Sequence, residues 1–61
     1  MNITVNFREI EFDGATLGEL LKLYRFDPLK IRVEINGEIV PSARYADMTL
    51  NEGDVLDIDR A

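Results

Sequence analysis

The side chains with chemistry to offer crowd into the end of the chain. Glu52, Asp54, Asp57 and Asp59 put four carboxylates within eight residues, with Arg60 beside them and a carboxylate on Ala61. Oxygen ligands in such number are the raw material of a hard-cation site. Their spacing argues for something plainer. Asp57 and Asp59 alternate with Leu56 and Ile58, the period of a strand with one apolar and one solvated face, so the carboxylates read as that solvated face and no metal is expected. The other reactive group is the terminal carboxylate. A strand that ends three residues beyond Ile58 leaves Asp57, Asp59, Arg60 and Ala61 at the margin of the folded body, where a partner can reach the terminus.

Little other chemistry is on offer. The 61 residues include no cysteine, histidine or tryptophan. That removes disulfides, thiol nucleophiles, imidazole ligands and the usual proton-transfer side chain, so no enzyme activity of its own is expected. Acidic residues outnumber basic ones 12 to 7, for a net charge of −5 and a pI near 4.4. This is opposite to the nucleic-acid-binding footprint, and a basic partner surface is the natural match. The start Met1-Asn2-Ile3-Thr4-Val5-Asn6 has no basic leader or long apolar run, and nothing approaches the roughly 18 apolar residues of a membrane span. A soluble, cytoplasmic protein of one domain, residues 1–61, is expected. A chain this short buries only about 60% of its unfolded surface, so its stability is modest.

The elements that position the terminus follow from periodicity. Ile3, Val5 and Phe7 alternate with Thr4, Asn6 and Arg8 as a half-buried strand. Ile10 and Phe12 alternate with Glu9, Glu11 and Asp13 as a second strand, reached through a turn near Phe7 to Glu9 that lacks glycine. From Thr16 the spacing becomes helical, with Leu17, Leu20, Leu21 and Tyr24 forming one stripe. Thr16 and Glu19 make a capping box, and Pro28 places the helix end near Arg25 to Asp27. Gly18 weakens the first turn unless a close approach of the sheet requires it. Ile31, Val33 and Ile35 form a third strand, and Asn36-Gly37 before Glu38-Ile39-Val40 is the signature of a two-residue hairpin. Pro41 ends the fourth strand. Residues Ser42 to Asp47 read as a loop with room for one helical turn. Asn51-Glu52-Gly53-Asp54 then turns the chain into the last strand.

Hairpin, helix, hairpin, loop and a final strand that must pair centrally describe an α+β protein. The arrangement is the ubiquitin-like β-grasp, a mixed sheet of about five strands with one helix across one face. The expected core is Ile3, Val5, Leu17, Leu20, Leu21, Ile31, Val33, Ile35, Leu50, Leu56 and Ile58, with Ile10, Phe12 and Tyr24 at its margins. Val40 and Val55 are expected on the face away from the helix, as a docking patch or as ordinary surface.

The runs Val33-Glu34-Ile35-Asn36-Gly37-Glu38-Ile39-Val40-Pro41, Leu50-Asn51-Glu52-Gly53-Asp54 and Leu56-Asp57-Ile58 resemble the sulfur carrier proteins of thiamine biosynthesis, the ThiS family. The molybdopterin carriers (MoaD) share the same hairpin and turn. The resemblance implies a non-catalytic carrier with no bound cofactor. Its C-terminal glycine would be adenylated by a ThiF-like enzyme using ATP, converted to a thiocarboxylate, and used to supply sulfur to thiazole synthase (ThiG-like). It also implies Gly-Gly a few residues past the last strand, slim enough to thread a narrow channel, whereas this sequence ends Asp59-Arg60-Ala61. The end falls where the tail would begin, with the strand before it intact, so truncation of the tail is the expectation. Alternatives are a molybdopterin-type carrier and a β-grasp module that binds partners without covalent chemistry. Glycine codons after Ala61 separate the carriers from the binding module, which a stop codon there would favour.

Overall fold

The computed structural model describes residues 1–61. Its strands are β1 (Asn2–Val5), β2 (Arg8–Glu11), β3 (Ile31–Ile35), β4 (Glu38–Val40) and β5 (Val55–Arg60), with one helix, α1 (Leu17–Leu23), and a 3-10 turn at Ser42–Arg44. They form a single sheet in the order β2-β1-β5-β3-β4. β5 lies in the middle, parallel to β1 and antiparallel to β3. This is the expected β-grasp arrangement, and it fixes where the chain leaves the sheet.

Both hairpins close through two-residue turns with positive φ at each central position, as tight turns of this class require. In the second, Asn36 and Gly37 stand at φ 53° and 85°. In the first, Asn6 and Phe7 stand at φ 50° and 69°, and Val5 faces Arg8. The turn therefore comes one residue earlier than the alternation of Ile3, Val5 and Phe7 implies. Phe7 leaves the strand for the turn and is 95% exposed.

α1 starts as expected, since the Thr16 hydroxyl accepts from the amide of Glu19 and the Glu19 carboxylate accepts from the amides of Ala15 and Thr16. It ends at Leu23, two to four residues sooner than Pro28 suggested. Tyr24 caps it, Arg25 turns left-handed at φ 59°, and Phe26 donates to the Leu21 carbonyl while Arg25 donates to that of Lys22. That is a Schellman motif with arginine where glycine is usual. Tyr24 is thereby rotated to the surface instead of completing the apolar stripe. Gly18 is required by a close approach, though not by the sheet. A Cβ there would lie 2.8 Å from the Ala46 carbonyl oxygen, so the loop after the 3-10 turn packs directly on the helix backbone.

The core comprises Ile3, Phe12, Leu17, Leu20, Leu21, Val33, Val40, Tyr45, Leu50, Leu56 and Ile58. Phe12 belongs to its centre and not its margin, while Val5, Ile31 and Ile35 are only half-buried. Tyr45, which no periodicity marks, folds under the sheet from the 3-10 turn and donates to the Ile31 carbonyl at 3.3 Å. No helix is long and apolar enough to cross a membrane.

Candidate functional site

The site to be described is the end of β5 and what surrounds it. Two asparagines set that strand in place. Asn36 donates its backbone amide to the Val55 carbonyl and accepts from the Val55 amide through its side chain, at 2.7 and 2.9 Å. Asn6 does the equivalent three residues on: its side chain accepts from the Ile58 amide at 2.7 Å and donates to the Ile58 carbonyl at 3.0 Å. The Asn6 side chain thus continues the parallel ladder after β1 has turned away. Ala61 donates to the Lys30 carbonyl at 3.0 Å, which ties the last residue to the entry of β3.

The residues expected to meet a partner do not all lie together. Val40 is 4% exposed, contrary to expectation. The tight turn fixes Val33 opposite Val40, so Val40 shares the helix-facing side with Val33, and its neighbour Ile39, 65% exposed, points the other way. Val55 stays at the surface, 46% exposed. Asp57 is half-buried opposite Glu34, a like-charge pair, whereas Asp59 stands opposite Arg32. Arg60 and Ala61 are exposed at the strand's end.

The acidic set of the sequence is also divided. Asp54 is buried, its carboxylate accepting from the Asn36 side chain at 3.0 Å and the Asn51 amide at 2.8 Å. It is a structural clamp at the start of β5. Glu52 receives the Asn2 amide on both oxygens. Neither can join Asp57 and Asp59 near the terminus, and no group of His, Cys, Asp and Glu side chains is arranged to hold a metal ion.

What periodicity could not show is the neighbourhood of the terminus. Arg25, Asp27, Leu29, Lys30, Asp59 and Arg60 line a concave surface of about 660 Å³ that includes Ala61, so cations and carboxylates are mixed there. Leu29 is 91% exposed, held out by a turn in which its amide donates to Asp27. The only ion pairs in the chain are Met1 with Glu11 and Arg44 with Asp47, so Arg25, Lys30 and Arg60 have no carboxylate partner. A second concavity of about 510 Å³, between α1 and the 3-10 turn, contains Glu19 and Lys22 but nothing arranged for catalysis.

The central strand β5 thus brings Arg60 and Ala61 to the surface at the margin of the sheet. The ThiS family model matches residues 2–58. This chain belongs to the ThiS family. Members of that family are small sulfur carriers of thiamine biosynthesis, not catalysts. The crystal structure of the thiamine biosynthesis protein ThiS from Geobacter metallireducens superposes with a TM-score of 0.84 at 30% identity, covering 97% of this chain and 91% of that one. The solution structure of a thiamine biosynthesis protein from the same organism gives a TM-score of 0.75 at 31% identity, over 93% and 78% of the two chains. A protein named thiazole synthase, from Paramagnetospirillum magneticum, is 39% identical over 59 residues, which are 95% of this ThiS-family chain but 18% of that protein. The chain therefore spans about a fifth of the length of that relative.

Proposed function

We propose that this ThiS-family domain carries sulfur for thiazole formation as a thiocarboxylate at the end of a glycine tail that continues from β5. The observation that carries the reading is the placement of β5. Held between β1 and β3 and clamped by Asn6, it projects the chain end from the middle of the sheet while leaving that end exposed. The chemistry requires nothing else of this protein. In the activating enzyme, of the ThiF-like type, a glycine carboxylate oxygen would attack the α-phosphorus of ATP and expel pyrophosphate. A sulfur nucleophile would then add at the acyl carbon and expel AMP, leaving the thiocarboxylate. The likeness of this domain to part of a thiazole synthase chain supports thiazole synthase as the protein to which the sulfur is passed.

Intact-mass spectrometry after incubation with ATP, sulfide and a ThiF-like enzyme tests the reading. The chain extended beyond Ala61 by Gly-Gly should show the mass gain of oxygen replaced by sulfur, and the chain ending at Ala61 should not. Absence of the thiocarboxylate on the extended chain would refute the carrier role, and its presence on the 61-residue form would refute the need for glycine.

A further inference from the structure

The Asn36-Gly37 pair is reactive as well as a turn. A backbone amide nitrogen that follows asparagine can attack the side-chain carboxamide carbon. The N–Cγ bond forms, the Cγ–Nδ2 bond breaks, and Nδ2 leaves as ammonia with the proton the backbone amide gives up. Water then opens the resulting succinimide at either of its two carbonyl carbons, giving aspartate or isoaspartate. A side chain on the following residue hinders the attack, and glycine has none. Of the four asparagines, Asn2, Asn6 and Asn51 precede Ile3, Phe7 and Glu52, and Asn36 alone precedes glycine.

At this turn the nucleophile is free and the electrophile is held. The Gly37 amide donates to no group of the chain, and nothing lies within 4 Å of a Cβ built on Gly37. The Asn36 carboxamide, in contrast, is tied at both ends to the entry of β5. Its Oδ1 accepts from the Val55 amide at 2.9 Å, and its Nδ2 donates to the Asp54 carboxylate at 3.0 Å. Asp54 is itself buried and fixed by the Asn51 amide at 2.8 Å. Both bonds must break before Cγ can turn back onto Gly37. The Asp54 charge opposes the reaction further, because attack places negative charge on the carboxamide oxygen beside a carboxylate already there.

We propose that Asn36 is a deamidation site of this chain, guarded in the folded state by Asp54 and the Val55 amide, and that its conversion irreversibly releases the entry of β5. The inference is independent of the carrier reading. Neither product restores the guard. An aspartate in this place has no Nδ2 hydrogen to give and sets a second carboxylate against Asp54. Isoaspartate adds a methylene to the backbone between the Asn36 amide, bonded to the Val55 carbonyl at 2.7 Å, and the Ile35–Glu38 pair that closes the hairpin. A two-residue turn has no slack for it. The reaction thus starts from the opened turn and keeps it open, so the lifetime of the entry end is set by how often the turn opens.

Mass spectrometry of the chain in warm, mildly alkaline buffer tests this, following the small mass gain as the carboxamide NH2 is replaced by OH and locating it by fragmentation. Asp13-Gly14 can form the same ring by losing water, but its reopening leaves the mass unchanged and does not interfere. In guanidinium chloride the gain should fall first on Asn36. In the folded chain it should be at least about tenfold slower, the factor expected of one hydrogen bond to a charged group. Asp54→Asn keeps the acceptor's shape, removes its charge, and should speed the reaction severalfold while circular dichroism shows a folded chain. If that variant does not fold, denaturant below the parent's unfolding midpoint replaces it, and the rate at Asn36 should climb before the sheet unfolds. The deamidated form, separated by ion exchange through its added charge, should melt several degrees below the parent. The proposal is overturned by a folded parent that reacts as fast as the unfolded chain, or by a gain that falls first on Asn2, Asn6 or Asn51. It is overturned equally by a folded Asp54→Asn with the parent's rate, by a rate flat in denaturant up to global unfolding, or by a deamidated form that melts like the parent.

Discussion

The two ends of this sheet meet the same backbone demand with different residues. Where β5 enters, a tight turn and a reversal place positive φ on Asn36, Gly37 and Gly53; where β5 leaves, a tight turn and a helix terminus place it on Asn6, Phe7 and Arg25. The asparagines do matching work, each bonding β5 through its side chain. The partner positions do not. The entry end is built from residues that geometry selects, and the exit end retains residues that geometry disfavours. The exit end therefore carries backbone strain and exposed side chains, Phe7 and Arg25, that the entry end does not.

The largest test compares the asparagines. Asn36→Ala removes the bond to the Val55 amide and leaves the buried Asp54 carboxylate short of a donor, so it should cost about 2 to 3 kcal/mol. Asn6→Ala loses its pair of bonds to Ile58 without stranding a buried charge and should cost about 1 to 2 kcal/mol. Urea denaturation of both variants gives the ranking. A reversed order would show that the exit end, not the entry end, holds the sheet together.

Next comes a pair of opposite sign. Nothing lies within 4 Å of a Cβ built on Gly37, so Gly37→Val is penalised by the backbone alone, by about 1 to 2 kcal/mol, or several degrees of melting. Phe7→Gly reverses the situation. Relief of roughly 1 to 2 kcal/mol of strain exceeds the roughly 0.4 to 1 kcal/mol that glycine adds to the freedom of the unfolded chain, so its melting temperature should hold or rise. If Gly37→Val melts like the parent, the register of β3 on β4 is wrong. If Phe7→Gly melts well below it, Phe7 has a folding role and the contrast between the ends disappears.

The smallest effect lies at the start of α1, away from both turns. Amides of Ala15 and Thr16, then the Thr16 hydroxyl, hold the Glu19 carboxyl below its ordinary value. A carboxylate lowered in the folded state contributes stability that is present above its unfolded pKa and fades as pH falls through the folded one. Glu19→Gln keeps a side chain that can still cap the helix but cannot titrate. The variant should melt slightly lower than the parent at neutral pH, and the two should converge in acid. A gap that persists unchanged at low pH would mean the box acts through shape and not charge.

Much of the scaffold was legible because it is written in period and punctuation. Alternation marked β1, β3 and β5, the Thr16–Glu19 spacing marked the helix start, and Asn36-Gly37 marked its turn outright. The errors share a cause. Phe7 and Arg25 carry no sign that they adopt positive φ, so the first turn and the helix end were displaced toward the glycine-free or proline-marked positions that local rules favour. Val40 was misassigned because facing follows from register across the hairpin, and a three-residue strand offers too little alternation to show it. Tyr45 is buried by the path of an irregular loop, which no periodicity encodes. The surface around Ala61 could not be read from the sequence. Arg25, Lys30 and Arg60 are spread over 36 positions and meet only through the pairing of β3 with β5.

The central place of β5 also has a consequence in time. It is the last of the five strands in chain order, and in the folded sheet it lies between β1 and β3. Until the residues around Ile58 are free of the ribosome, two hairpins and a helix can form locally, but the sheet stays split with two inner edges open. Closure then depends on contacts between segments some 50 residues apart, such as Asn6 with Ile58, and such distant pairing slows folding. A nascent chain of this kind is most vulnerable to mispairing at its open edges just before β5 emerges. The strand that makes the carboxyl end available is also the one that decides when there is a folded protein to carry it.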